Sequence, residues 1–251
     1  MKIITWNCNG ALRKKYTELN TLDADILVIQ ECENPEESTK EYKDWADNYL
    51  WLGESKNRGI GIFAKKGNSI EKIEQNGSFE MSCFNSTSPS LKWETKALRL
   101  FLPFSINNSI QALGVWTKGS DAEVFGYMGQ FWKYLQIHKK DLSNANQIIL
   151  GDFNSNKLWD KADRWWSHTD VVNELEDIGI ESLYHHKFSE NQGNESMPTF
   201  FLHRKEEKPY HIDYVFVSKK YLASNIIIGE KSKWLELSDH LPLITELKSK
   251  Q

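Results

Sequence analysis

A carboxylate and an amide stand two residues apart at the end of an apolar run, in Ile148-Ile149-Leu150-Gly151-Asp152-Phe153-Asn154. A carboxylate can take a proton from water, and an amide can orient a neighbour without titrating. In an extended chain, residues two apart project to the same side, so Asp152 and Asn154 are expected to act together. Gly, Asp, Asn and Ser are also what turns prefer, so this stretch alone reads equally well as a turn. The same pattern recurs, however. Asn7 follows Ile3–Trp6, and Glu31 follows Ile26–Ile29. Asp213 lies just inside the start of I-D-Y-V-F-V, and Asp239-His240 precedes L-P-L-I-T-E-L.

Gathered in one cleft, Glu31, Asp152, Asp213 and Asp239 would repel one another. Two unit charges about 4 Å apart cost roughly 4 kcal/mol at an effective dielectric near 20. Such a cluster requires raised carboxylate pKa values or a cation. The donors on offer are carboxylate and amide oxygens with one imidazole, which favours Mg²⁺ or Mn²⁺ over zinc. A divalent ion also lets an acidic cleft accept an anionic substrate. The chemistry this implies is metal-assisted phosphoester hydrolysis.

The elements that must position these residues are read from periodicity. Ile3–Trp6, Ile26–Ile29 and Ile148–Leu150 read as strands, the last buried on both faces. Ala11–Leu22 reads as helical or irregular. Pro35–Asn48 has Pro and acids at its start and apolar residues at helical spacing, which predicts a helix. Gly59–Ala64 reads as a strand, Ile70–Phe84 as one or two more, and Leu98–Phe104 with Ser109–Trp116 as a pair. Val124–His138 is amphipathic, and Asp160–Ile178 reads as a second helical region. Phe188–Met197 reads as a loop. Thr199–Leu202, Ile212–Val217, Ile226–Ile228 and Leu241–Leu247 supply the last strands. A mixed sheet with late strands antiparallel to early ones would gather the polar strand ends at one edge. Strands interrupted by helices indicate an α/β or α+β sandwich in one domain spanning residues 1–251.

At 251 residues, 39% hydrophobic and 26% charged, the chain can bury a substantial core. Its net charge of −4 gives no global basic field, so a nucleic-acid partner would need a local basic surface. No apolar run approaches a membrane span, and the N-terminal run is too short for a signal peptide. Cys8, Cys32 and Cys83 form no Cys-x-x-Cys pair, and reduced thiols in a cytoplasmic protein are the economical reading.

The runs T-W-N-C-N-G, I-Q-E, G-D-F-N, H-I-D-Y and S-D-H-L-P resemble, in order and approximate spacing, the motifs of the endonuclease/exonuclease/phosphatase superfamily. That group includes DNase I, exonuclease III-type abasic-site endonucleases, sphingomyelinases, inositol phosphatases and deadenylases. The resemblance covers Lys2 to about Leu247. It implies a four-layer α/β/β/α sandwich, two mixed sheets face to face with helices outside, and a Mg²⁺-dependent activity on phosphoesters. Carried over by position, Glu31 looks like the principal metal ligand, with Asn7 beside it and Asn9 as a further metal-shell residue. Asp152 would deprotonate the attacking water and Asn154 would hold that geometry. His240 would contact the scissile phosphate, oriented by Asp213, and Asp239 would add to the metal or phosphate shell. The number of metals stays open.

One departure stands out. The family usually supplies a Tyr or His phosphate contact from the strand before the central helix. Here that strand reads Leu113–Lys118 and offers Trp116, which can donate a hydrogen bond but cannot act as an acid. Lys118 or Tyr127 would then take over the contact. Phe200, in M-P-T-F-F, falls on the family's substrate-side strand, and His211 is a candidate secondary contact.

Other features have bland readings beside sharp ones. Trp159, Trp165 and Trp166, with Arg164 among them, could stack bases, although packing of a helix onto a sheet is the favoured reading for any one of them. His185-His186 lacks zinc-type spacing and reads as a helix-end or loop pair. The pairs Lys65-Lys66, Lys139-Lys140 and Lys219-Lys220 read as solvated surface, or as phosphate-backbone contacts if near the cleft. The leading functional expectation is a nuclease acting on DNA or RNA without membrane association. The alternatives are hydrolysis of a small-molecule or lipid phosphoester, and a non-catalytic relative that binds nucleic acid or protein.

Overall fold

The computed structural model describes residues 1–81, 92–120 and 123–249. Cys83 and the Ser82–Phe84 end of one expected strand lie outside them. In chain order the structure begins with β1 (Lys2–Asn7), α1 (Tyr16–Asn20), β2 (Ile26–Cys32), α2 (Lys40–Ala46), β3 (Asn48–Ser55) and β4 (Arg58–Ala64). Then come β5 (Ile70–Lys72), β6 (Ser78–Glu80), β7 (Lys92–Glu94), β8 (Phe101–Ile106), β9 (Ile110–Trp116) and α3 (Met128–Leu142). β10 (Gln147–Asp152), α4 (His168–Asp177), β11 (Ile180–Ser182) and α5 (Leu183–Phe188) follow. The chain closes with β12 (Phe200–Phe201), β13 (Pro209–Tyr210), β14 (Asp213–Ser218), β15 (Asn225–Ile228), α6 (Lys231–Trp234) and β16 (Leu243–Glu246).

Two mixed sheets of six strands result, ordered β15-β16-β1-β2-β4-β3 and β11-β14-β10-β9-β8-β5. Side-chain alternation decides how they stack. Ile148 and Leu150 of β10 join Ile3, Val28, Ile62 and Leu243 in a core between the sheets. Ile149, one residue out of phase, points the other way and packs under α3 and α4 with Phe131, Val171 and Phe216. On the far side, Ile4, Trp6, Leu27 and Ile29 pack with Tyr42 of α2 and Trp234 of α6. The architecture is the expected α/β/β/α sandwich, and β10 is buried on both faces. Among the described residues, no helix is long and apolar enough to cross a membrane.

Local caps and turns shortened or shifted the predicted helices. In the Pro35–Asn48 run, Asn34 accepts from Glu36 N and Thr39 caps α2 by accepting from Tyr42 N. Two caps five residues apart split one expected helix into a 3₁₀ turn and a short helix. α3 starts at Met128 rather than Val124, because Tyr127 sits at φ +49. α4 starts at His168 rather than Asp160, whose carboxylate accepts from the N–H groups of His168 and Thr169. The edge strand β3 and the short helix α5 were not expected. β3 is half exposed and lacks a clean alternation.

Gly151 holds the central strand's exit. Its φ is +148, and a Cβ there would lie 1.9 Å from the Val115 carbonyl oxygen of the neighbouring strand. Gly151→Ala is therefore expected to cost more than about 1 kcal/mol of stability, read as a lower urea midpoint with an unchanged slope. An unchanged midpoint would show that the backbone is not pinched there.

Candidate active site

Parallel β1 and β2 end side by side, with Asn7 opposite Gln30. A register shift between Gln30 and Cys32 puts Glu31 on a bulge with φ +61, which turns its carboxylate out of the ladder. In the other sheet, antiparallel β10 and β14 bring Asp152 directly opposite Asp213. His240 enters from the segment before β16 and is bridged to Phe200. The candidate residues thus meet across the abutting edges of two sheets, not along one edge of a single sheet as the sequence pattern suggested.

The Asp152 carboxylate is 1% exposed, and its oxygens accept three hydrogen bonds. Oδ1 accepts from Asn154 N at 2.9 Å, and Oδ2 accepts from Asn154 Nδ2 and Asn7 Nδ2, both at 2.9 Å. The Asp152–Asn154 pairing comes from an Asx-type turn, with Asn154 at φ +46, rather than from strand alternation. Asn154 Nδ2 also donates to Thr117 O at 3.1 Å, tying this turn to the end of β9.

His240 Nδ1 lies 2.9 Å from Asp213 Oδ2, while its Nε2 faces Asp152 Oδ2 at 4.0 Å. Thr199 Oγ1 donates to Asp213 at 2.7 Å and accepts from the N–H groups of Ile212 and Asp213. Ser238 Oγ accepts from His240 N and donates to Asn7 O at 2.7 Å. Burial pushes the Asp152 carboxyl up to about 7, with Asp213 adding to the push and His240 opposing it. For His240, burial works against the charged form, but Asp213 and Asp152 outweigh it and lift the imidazole to about 9. At neutral pH the pair therefore presents an imidazolium beside a carboxyl poised to titrate.

Two groupings could hold a cation. Asp152, Asp213 and His240 offer ligand atoms within 4.8 Å of one another. Their oxygens already accept from protein donors, those of Asp152 from three amide N–H groups and those of Asp213 from Thr199 and His240. Glu31 is different. Its Oε1 accepts from Asn7 Nδ2 at 3.3 Å, while its buried Oε2 has no hydrogen-bond partner. The Arg58 guanidinium stands 3.2 Å from Oε2 but outside hydrogen-bonding alignment. Asn7 Oδ1 accepts from Asn9 N, and Asn9 Nδ2 donates to Asp239 Oδ1 at 3.0 Å. A carboxylate oxygen without an aligned donor, beside the Asn7 amide, fits a hard divalent cation.

The substrate-side candidates are more scattered. Phe200 lies against His240, ring centroids 4.6 Å apart, and Tyr127 lines a neighbouring chamber. Trp116 is the pairing partner of Asp152 and is 3% exposed, with Lys118 Nζ 5.0 Å from its ring centroid. Lys118 itself is tied to Glu54 at 3.0 Å. His211 is not brought to the others. It is buried against Tyr184 and Tyr214, and its Nδ1 donates to Met197 O. His185 binds Ser182 and Glu195, consistent with a structural pair. Sequence reasoning missed Thr199, Ser238, Thr117 and Arg58. The first two sit inside quoted motifs, but a hydroxyl carries no distinctive spacing. Nothing in the sequence marks Arg58 or Thr117.

A four-layer sandwich with this cluster at the sheet edges is a DNase I-like fold. The chain belongs to the endonuclease/exonuclease/phosphatase family, whose model matches residues 4–240. No curated protein matches its sequence significantly. Among solved structures it is similar to the 3′ phosphatase NExo from Neisseria bound to product DNA hairpin, at 19% identity over 99% of both chains, TM-score 0.69. An AP endonuclease from Archaeoglobus fulgidus is similar at 17% identity over 99% of both chains, TM-score 0.64. The Xenopus laevis APE2 catalytic domain is similar at 17% identity over 100% of this chain and 92% of that one, TM-score 0.62. At these identities the likeness is one of fold.

Removing the Asp213 charge should release His240. In metal-free Asp213→Asn protein, NMR titration of the imidazole is expected to show its pKa displaced downward from about 9. An unshifted titration would mean that Asp213 does not set the charge on His240.

Proposed function

We propose that this chain is a divalent-metal-dependent phosphodiesterase, a nuclease hydrolysing DNA or RNA. The reading is carried by one observation. A single hydrogen-bonded group joins Glu31, Asn7, Asp152 and Asn154, and faces the Asp213–His240 pair. Glu31 and Asn7 would hold Mg²⁺ or Mn²⁺, with Asn9 and Asp239 beside them. The bound ion would neutralise phosphate charge and favour ionisation of water.

The protein's own groups divide the remaining work. Asp152 takes the proton from the water that attacks phosphorus, the ester P–O bond breaks and its leaving oxygen is protonated from solvent, and Asn7 and Asn154 keep the carboxylate aimed. His240 donates from Nε2 to a phosphate oxygen and stabilises the charge developing there, with Asp213 fixing its tautomer and Thr199 fixing Asp213. A DNA-bound 3′ phosphatase and an AP endonuclease among the fold relatives support a nucleic-acid substrate. The core shared by both sheets supports one domain over residues 1–251. Buried free Cys8 and Cys32 support a reducing, cytoplasmic setting.

A second reading keeps the chemistry and changes the substrate to a small phosphoester. It is favoured by the net charge of −4 and by the pairing of Arg99 and Lys118 with Glu54. Purified protein assayed on single- and double-stranded DNA, abasic DNA, RNA and small phosphoesters separates the two. EDTA is expected to abolish activity and Mg²⁺ or Mn²⁺ to restore it. Asp152→Asn and His240→Ala should each lower kcat by about 10²-fold or more. Activity surviving both substitutions and EDTA would refute the mechanism.

A further inference from the structure

Glu33 is a buried carboxylate that the proposed chemistry does not use. It follows the last residue of β2 and its side chain is 4% exposed. Its oxygens accept from the chain that leaves β1. Oε2 accepts from Leu12 N at 2.7 Å, and Oε1 accepts from Arg13 N at 3.1 Å and Arg13 Nη1 at 2.8 Å. Hydrogen bonds to an ionised acceptor are the strong ones, and burial removes the competition of water.

What these bonds hold is a strained segment. Asn9, Gly10 and Ala11 are all left-handed, at φ +51, +74 and +52. Glycine takes this conformation freely and asparagine tolerates it, whereas the Cβ of alanine crowds the following carbonyl oxygen. Ala11 also stands at the N-cap of a 3₁₀ turn, Leu12–Lys14, and has no side-chain acceptor to offer it. Glu33 supplies the acceptors that this cap lacks. The other end of the segment reaches the candidate centre. Asn9 N donates to Asn7 Oδ1 at 3.0 Å, and Asn9 Nδ2 donates to Asp239 Oδ1 at 3.0 Å. With its oxygen engaged there, the Asn7 amide turns Nδ2 to Asp152 and Glu31. Rotated half a turn, the same amide would present oxygen to both carboxylates. Leu12 is also buried in the core with Trp6 and Tyr42, so packing competes with Glu33 as the anchor of the segment. The strain at Ala11 tells the two apart.

We propose that Glu33 is a positioning residue of the candidate centre. By holding the left-handed turn at Asn9, Gly10 and Ala11, it fixes the orientation of the Asn7 amide that Asp152 and Glu31 share. It acts through the turn alone. Its effect on a bound cation rests on the metal reading of Glu31 and Asn7, whereas its effect on the Asn7 amide does not.

The test is NMR measurement of hydrogen exchange at the Asn7 side-chain amide in metal-free full-length protein, beside Mn²⁺ titration of the same variants. Glu33→Gln keeps the shape and removes the charge. It is expected to speed exchange at the Asn7 amide about tenfold or more. It should also weaken Mn²⁺ binding by about tenfold or more. Ala11→Gly, which relieves the left-handed strain, should change neither on its own and restore both in the double variant. Unchanged Asn7 exchange in Glu33→Gln overturns the proposal. A double variant that is unfolded, or that exchanges as fast as Glu33→Gln, overturns it as well and leaves the anchoring to Leu12. If the wild type binds no Mn²⁺, the metal reading falls and Asn7 exchange alone decides on Glu33. Faster exchange in Glu33→Gln, reversed by Ala11→Gly at a constant Mn²⁺ affinity, keeps the positioning of Asn7 against Asp152 and removes Asn7 from the cation site.

Discussion

The buried hydrogen bond from Asn7 Nδ2 to Asp152 Oδ2 joins residues 145 positions apart and belonging to different sheets. A carboxylate that is 1% exposed can ionise only if its oxygens are satisfied. Neither sheet supplies all the donors, since Asn154 comes with β10 and Asn7 with β1. The carboxylate is therefore tolerable only when the two sheet edges abut. The core between the sheets, Ile148 and Leu150 against Ile3 and Val28, fixes that approach. Trp6 Nε1 donates to His240 O at 2.9 Å and brings the imidazole to the same junction.

Much of this was legible in the sequence because strand ends announce themselves. Apolar runs terminated by Asn7, Glu31 and Asp152, and the polar residues opening the last strands, marked the cluster, while the four layers were implied by the family resemblance. The resemblance of five short runs to one family supplied the order. What escaped has physical causes. Strand alternation predicted that Asp152 and Asn154 would share a side, but their contact comes from a left-handed turn at Asn154. Helix starts shifted because capping side chains such as Asp160 and Thr39 act locally. Thr199 reaches the site from the segment before β12 and Arg58 from β4, so no spacing in the chain reveals them.

The electrostatics separate two acidic groups that the sequence could only count together. Asp152 and Asp213 are neutralised from within, by amides, a hydroxyl and the imidazolium of His240. Glu31 is left with a buried oxygen facing only the misaligned guanidinium of Arg58. The division follows from backbone geometry. The bulge at Glu31 turns its carboxylate out of the ladder, where it stays 17% exposed beside Arg58, whereas the paired positions of Asp152 and Asp213 bring theirs within 4.8 Å of each other and of His240.

Cation binding measured directly, by Mn²⁺ titration followed by electron paramagnetic resonance, tests this division without reference to turnover. Glu31→Gln is expected to abolish saturable binding in protein that remains folded, while Asp213→Asn retains it. Retention of binding in Glu31→Gln and its loss in Asp213→Asn would place the cation in the Asp152–Asp213–His240 group and contradict the account.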